Sequence, residues 1–184
     1  KNGKSSLGAA LALFMLFADS ERGAEIFSCA ADRNQAGIIF NIAKTMVELS
    51  PELSARGKVY RNSIVNPVKG NTYKVLSADA KLQHGHNSHG IFFDELHTQS
   101  NRELFDAMQT STGARSQSLM FCITTAGASK TDGNICWETH DYATKVKEGI
   151  IKDESFLPVI YAADEEDDIQ LISTWKKANP NYNI

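Results

Sequence analysis

Apolar and polar positions alternate along this chain with two different periods, and the periods take turns. Leu7–Ala18 is one long apolar run behind a serine pair, which predicts a buried helix over Ser5–Ala18. Glu25–Ala31 (EIFSCAA) is short, apolar and bounded by polar residues, as a strand should be. Ile38, Ile39, Ile42, Met46 and Leu49 then recur at helical spacing, predicting a helix from about Asn34 to Leu49. Asp32 or Asn34 can cap its start and Pro51 should block its continuation.

Further on, Lys58–Tyr60 and Ser63–Val65 fit short strands and Thr72–Ser77 a longer one. Gly85–Gly90 reads as a polar loop leading into a strand at Ile91–Phe93 that ends in Asp94-Glu95. A helix over Arg102–Thr110, a buried strand at Leu119–Thr124 and a helix over Ile135–Glu148 follow. Phe156–Ala162 (FLPVIYA) reads as another strand, at an edge position or with a bulge, because Pro158 cannot donate to a ladder. An acidic run, Asp164–Asp168, precedes a last amphipathic helix that carries Leu171, Ile172 and Trp175 and ends near Asn179-Pro180. Strands alternating with helices predict an α/β fold, a mainly parallel sheet flanked by helices on both faces.

The length, 184 residues, suits one substantial domain, and 42% hydrophobic residues exclude a disordered chain. The net charge of −3 does not announce a nucleic-acid binder, but it is unevenly spread. Up to Phe93 there are eleven basic and seven acidic residues; from Asp94 on there are eight and fifteen. A phosphate-binding surface is therefore expected in the first half. Cys29, Cys122 and Cys136 are odd in number and widely spaced, and two of them lie in apolar runs, which predicts buried free thiols. No apolar run reaches the ~20 residues a membrane-spanning helix needs, and the expected setting is cytosolic.

Candidate chemistry sits at three places. Lys1-Asn2-Gly3-Lys4-Ser5-Ser6 opens a helix in the manner of a phosphate loop's second half. Glycine lets backbone N–H groups approach a phosphate, lysine reaches its oxygens and serine can ligate Mg²⁺. The apolar strand Gly90–Phe93 ends in Asp94, suited to Mg²⁺, and Glu95, suited to deprotonating a water. Thr124 and Thr125 end the next buried strand, where hydroxyls could sense a γ-phosphate or form an ordinary turn. His84, His86 and His89 lack acidic or thiol neighbours at metal-ligand spacing and read as a loop. His97 reads as packing or hydrogen-bonding locally, and the acidic run as a solvated helix start.

Taken in order, KNGKS, CAADRNQAG, GIFFDELHTQSNRELFD, STGAR, FCITTAG, ICWETHDYA, LPVIYAADEEDD and WKKANPN resemble the large terminase subunit of tailed bacteriophages, in its N-terminal ATPase domain. The resemblance implies a P-loop NTPase architecture of the RecA/ASCE type, with the strand before the phosphate loop missing from this chain. It implies a motor that uses ATP and Mg²⁺ to drive double-stranded DNA into a procapsid in the cytoplasm of the bacterial host. The implied partners are the small terminase subunit, the portal and further copies of the chain in a ring, with no membrane involved.

By the same resemblance residues 1–178 are the ATPase domain and 179–184 begin a linker towards a nuclease domain. Lys4 matches the phosphate-loop lysine, within Asn2, Gly3, Lys4, Ser5 and Ser6; Ser5 and Asp94 match the Mg²⁺ residues. Glu95 matches the general base and Thr124 and Thr125 the coupling motif, while Arg33, Asn34 and Gln35 follow the second strand of the family pattern. Arg61, Arg102 and Arg115 are candidates for an arginine acting on a neighbouring copy. A DEAH-like helicase is the alternative, from Asp94-Glu95-Leu96-His97. A third reading is a folded but inactive fragment, because a phosphate loop tethered on one side should bind ATP weakly.

Overall fold

The structure is a computed structural model that describes residues 2–77, 85–125, 133–164 and 166–182. Ser5–Trp137 form one compact unit, and residues 1–4 with Glu138–Ile184 form a second. Strands β1 (Glu25–Ala30), β2 (Lys58–Val59), β3 (Ser63–Asn66), β4 (Asn71–Ser77), β5 (Ser88–Phe93) and β6 (Leu119–Cys122) make a sheet in the order β2-β3-β4-β1-β5-β6. β4, β1, β5 and β6 run parallel, whereas β2, β3 and β4 pair antiparallel, so the sheet is mixed. Connection length decides which. β2, β3 and β4 follow one another through a few residues each, enough for a hairpin but not for the crossover a parallel pair needs.

The helices are α1 (Lys4–Phe17), α2 (Arg33–Leu49), α3 (Pro51–Arg56), α4 (Glu103–Thr110), α5 (Ile135–Lys147) and α6 (Ile172–Ala178). α1 and α2 bury Leu13, Leu16, Ile39 and Phe40 against Ile26, Tyr73 and Phe92 on one face of the sheet. α4 and the start of α5 bury Leu104, Met108 and Ile135 against Phe27, Ile91 and Phe93 on the other. β1 and β5 are thus covered on both faces, which is why they read as continuous apolar runs rather than as alternating ones.

Three elements depart from the expectations. β5 starts at Ser88, not Ile91, because its polar residues find partners inside the fold: Ser111 donates to Ser88 Oγ at 2.6 Å, and His89 donates to Asp19 at 2.7 Å. Gly90 fits there because a Cβ would lie 2.8 Å from Met15 Sδ and 3.2 Å from Ile26 Cγ2. Pro51 does not merely end α2; it opens α3 from its first turn, with Ser50 Oγ accepting from Leu53 N–H at 3.3 Å. Residues 156–162 form no strand, since no described strand offers them a ladder; Leu157, Val159 and Tyr161 stand exposed. All three cysteines are free, and burial pushes the Cys122 thiol up to about 12.

The Asp19–His89 contact carries a pH prediction. The hydrogen bond from His89 holds the Asp19 carboxyl below the usual carboxylate range. A lowered folded-state value stabilises above the unfolded value of about 3.9, and that contribution is lost as pH falls through the folded value. Asp19→Asn should therefore melt below the wild type at pH 7, and the gap should narrow as pH falls below about 3.9 towards the folded value. A gap that does not narrow in thermal melts over that acid range rules the linkage out.

Candidate functional site

Parallel strands end together, and that edge of the sheet collects the chemistry. Cys29 of β1 is in register with Phe93 of β5, and Phe93 with Cys122 of β6. The residues that follow each strand therefore emerge side by side: Asp32 to Gln35 after β1, Asp94 and Glu95 after β5, Thr124 and Thr125 after β6. In open α/β sheets the groove outside these carboxyl ends is where ligands bind.

Ser5, in the first turn of α1, donates its hydroxyl to Asp94 Oδ2 at 3.3 Å, across 89 residues of sequence. Asp94 is buried, and its backbone N–H is held by Cys29 O at 3.0 Å. α1 has no acidic residue in its first turn, so the positive end of its dipole is not neutralised there. Ser6 is exposed. Gly3 has φ +72°, a left-handed conformation that glycine adopts without cost, immediately before Lys4 begins the helix. Asn2 is engaged within its own unit, donating to Asn179 Oδ1 at 3.2 Å and accepting from Asn181 N–H at 3.4 Å.

Glu95 has φ +48° and ψ +55°, the one left-handed residue other than glycine among the described residues. Such a backbone costs about 1–3 kcal/mol and persists only where neighbours fix it. Here Thr98 donates both its N–H and its hydroxyl to Glu95 O at 2.8 Å, and Leu96 N–H reaches Ile123 O at 3.2 Å. A 3₁₀ turn, Leu96–Thr98, follows. Within it Thr98 also donates to Gln35 Oε1 at 3.2 Å, which ties the segment after β1 to the one after β5.

Thr124 accepts from His97 N–H at 3.2 Å, lies 3.0 Å from His97 Nδ1, and donates to Thr125 O at 3.0 Å. The structure thus brings Ser5, Asp94, Glu95 and Thr124 to one edge of a single unit, while Thr125 is exposed beside them. His97 hydrogen-bonds locally, as its sequence setting predicts, and the partner it takes is Thr124 at the next strand end. The spacing of His97 from Glu95 is the available signal for their closeness, but the left-handed turn that brings them together is invisible in residue type.

The remaining candidates lie elsewhere or are occupied. Arg115 donates to Glu21 Oε1 at 2.6 Å, Gly23 O at 2.7 Å and Asn87 O at 3.2 Å, holding loops at the opposite ends of β1 and β5. Arg102 is paired with Asp106 along α4, at 2.8 and 3.2 Å. Arg61 is exposed in the turn between β2 and β3, and among the described residues its side chain makes no hydrogen bond or ion pair. Asp32 caps α2, accepting from Asn34 and Gln35 N–H at 2.8 and 3.0 Å. His86 packs its ring against Phe27, 4.8 Å between centroids, while His84, Ala126 and Gly127 lie outside the described residues. In the second unit Asp164 and Asp167 accept from Lys177, so part of the acidic run is spent on an ion pair.

Comparison with known proteins gives a consistent picture. Residues 1–145 match the family described as the terminase large subunit, ATPase domain. The chain is 31% identical to the terminase large subunit of Enterobacteria phage HK97, over 98% of this chain and 35% of that protein. It is 33% identical to protein YmfN of Escherichia coli K12, over 54% of this chain and 22% of that one. The chain thus spans about a third, or less, of the length of these curated relatives. Among solved structures, the HK97 large terminase superposes with a TM-score of 0.87 at 29% identity, covering all of this chain and 38% of the other. The ATPase domain of the Thermus phage P74-26 large terminase gives 0.56 at 22% identity, over 70% and 58%, a likeness of fold. The large terminase of a thermophilic bacteriophage, solved in complex with ATP-γ-S, gives 0.56 at 17%, over 80% and 35%, again a likeness of fold.

Proposed function

Because the chain belongs to the ATPase-domain family of terminase large subunits, we propose that it is the ATP-hydrolysing part of a phage DNA-packaging motor. One observation carries the reading: the Ser5 hydroxyl meets the Asp94 carboxylate at a strand end, with Glu95 next in the chain. An aliphatic hydroxyl and a buried carboxylate oxygen are hard donors, so the pair fits Mg²⁺. Bound there with ATP, Mg²⁺ would neutralise charge on the phosphate oxygens.

The chain's own residues then divide the work. The N-terminus of α1, with Gly3 and Lys4 and flanked by Asn2 and Ser6, receives the phosphates. Ser5 and Asp94 would hold the metal. Glu95 accepts a proton from the attacking water, and Thr124 and Thr125 register the state of the γ-phosphate from the neighbouring strand end. Residues 1–178 serve as the ATPase domain and 179–184 as the start of a linker. Double-stranded DNA is the translocated substrate, and a ring of copies, the small terminase subunit and the portal are the assembly around it. Among the described residues no helix is long and apolar enough to cross a membrane. A packaging motor of this family would act in the host cytoplasm.

ATP hydrolysis by the complete protein, with and without duplex DNA, tests the reading; turnover indifferent to DNA counts against a packaging role. Two substitutions sharpen it. Ser5→Ala should raise the Mg²⁺ concentration needed for half-maximal turnover, and Lys4→Ala should weaken nucleotide binding in titration calorimetry. A Mg²⁺ titration of Ser5→Ala that overlays the wild type removes Ser5 from the metal site.

A further inference from the structure

We infer that His97 is a positioning residue for hydrolysis, its Nδ1 joining the Glu95 carboxylate to the Thr124 hydroxyl so that the base and the coupling residue move as one. The inference rests on the reading of Glu95 as general base and extends it to a residue with no role assigned so far. Three observations carry it. The first is distance: His97 Nδ1 lies 3.2 Å from Glu95 Oε2 and 3.0 Å from Thr124 Oγ1. The second is the state of the carboxylate: Glu95 Oε2 is out of solvent and makes no aligned hydrogen bond among the described residues, leaving His97 as its close polar neighbour. The third is a second tie to the same hydroxyl: the backbone N–H of His97 donates to Thr124 Oγ1 at 3.2 Å, so ring and main chain both hold His97 to the end of β6.

Nδ1 lies between two oxygens, hydrogen-bonded to Thr124 Oγ1 and close to the Glu95 carboxylate without an aligned bond to it. It limits the swing of a carboxylate whose backbone is already fixed in the left-handed region. It also crosses between strands, since Glu95 follows β5 and Thr124 follows β6. A displacement of Thr124 therefore reaches the base through one ring rather than through the sheet. Packing alone does not account for the residue: the His97 side chain is 28% exposed, whereas the neighbouring Leu96 is buried.

The test is steady-state ATP hydrolysis by the complete protein carrying His97→Ala, His97→Asn, Thr124→Val or the Ala/Val pair, with Glu95→Gln as reference and melting temperatures recorded for each. Misplacing a catalytic group without removing it costs up to ~100-fold, so His97→Ala should lower kcat about 10- to 100-fold with KM within about 2-fold. His97→Asn, whose amide nitrogen can take the Nδ1 position, should recover most of the loss. The double variant should be no slower than the slower single one, as residues acting through one link are not additive. A His97→Ala kcat near wild type while Glu95→Gln is inactive overturns the inference and leaves the general-base reading standing. Equal losses in His97→Ala and His97→Asn with lowered melting temperatures mark a structural role and overturn it too. Normal turnover in Glu95→Gln removes the general-base reading, and the inference with it.

Discussion

Glu95→Gln in the complete protein should bind ATP as the wild type does and hydrolyse it about 10²- to 10⁴-fold more slowly, the range general acid–base catalysis supplies. The substitution keeps the size and shape of the side chain, so the contacts that hold its backbone, from Thr98 and Leu96, survive. It removes the carboxylate's charge and with it the ability to take a proton. A carboxylate that acted by packing or by salt bridge alone would not show so large a loss with binding intact. Nucleotide affinity by calorimetry and turnover by phosphate release separate the two. Retention of more than about a tenth of wild-type turnover would exclude the role.

How much of this was legible beforehand follows from where each interaction is encoded. The helix–strand alternation, the two carboxylates at the end of β5 and the Gly-Lys-Ser start of α1 are local patterns, and the fold places them as read. That Ser5 and Asp94 would meet follows only from giving both residues the same chemistry, because nothing local links residues 89 apart. β5 begins three residues early because Ser88 Oγ and His89 Nε2 bond to Ser111 and Asp19, partners that sequence proximity does not reveal. Residues 156–162 carry strand propensity, but a strand is a pairing and propensity cannot supply a partner. The closeness of His97 Nδ1 to the Glu95 carboxylate arises from the left-handed turn at Glu95, a conformation that residue type argues against.

The other large effect concerns stability and arises far from the chemistry. The last carbonyls of helix α1 need donors from outside its own ladder. Asn71, at the start of β4 and fully buried, provides one: its Nδ2 donates to Leu16 O at 3.2 Å and to Glu21 O at 3.1 Å. Its Oδ1 accepts from the buried Ala24 N–H at 3.0 Å. One amide thus fastens the end of α1, the loop after it and the approach to β1. Asn71→Leu fills a similar volume and removes all three bonds. Leu16 O keeps a partner in Asn66, which donates to it at 3.1 Å, so two backbone groups are left stranded. A buried polar group without a partner costs about 1–3 kcal/mol, which puts the loss at roughly 2–6 kcal/mol. That is a large share of the ~5–15 kcal/mol by which a domain is stable. Urea denaturation should show the midpoint falling with the slope unchanged. Asn66→Leu offers the comparison: Asn71 still serves Leu16 O, and Asn66 Oδ1 accepts only from Val68 and Lys69 N–H, at 3.2 and 3.4 Å in a partly exposed turn. The smaller loss should therefore belong to Asn66→Leu, and an Asn71→Leu midpoint at or above that of Asn66→Leu would show that α1 is held by its apolar face alone.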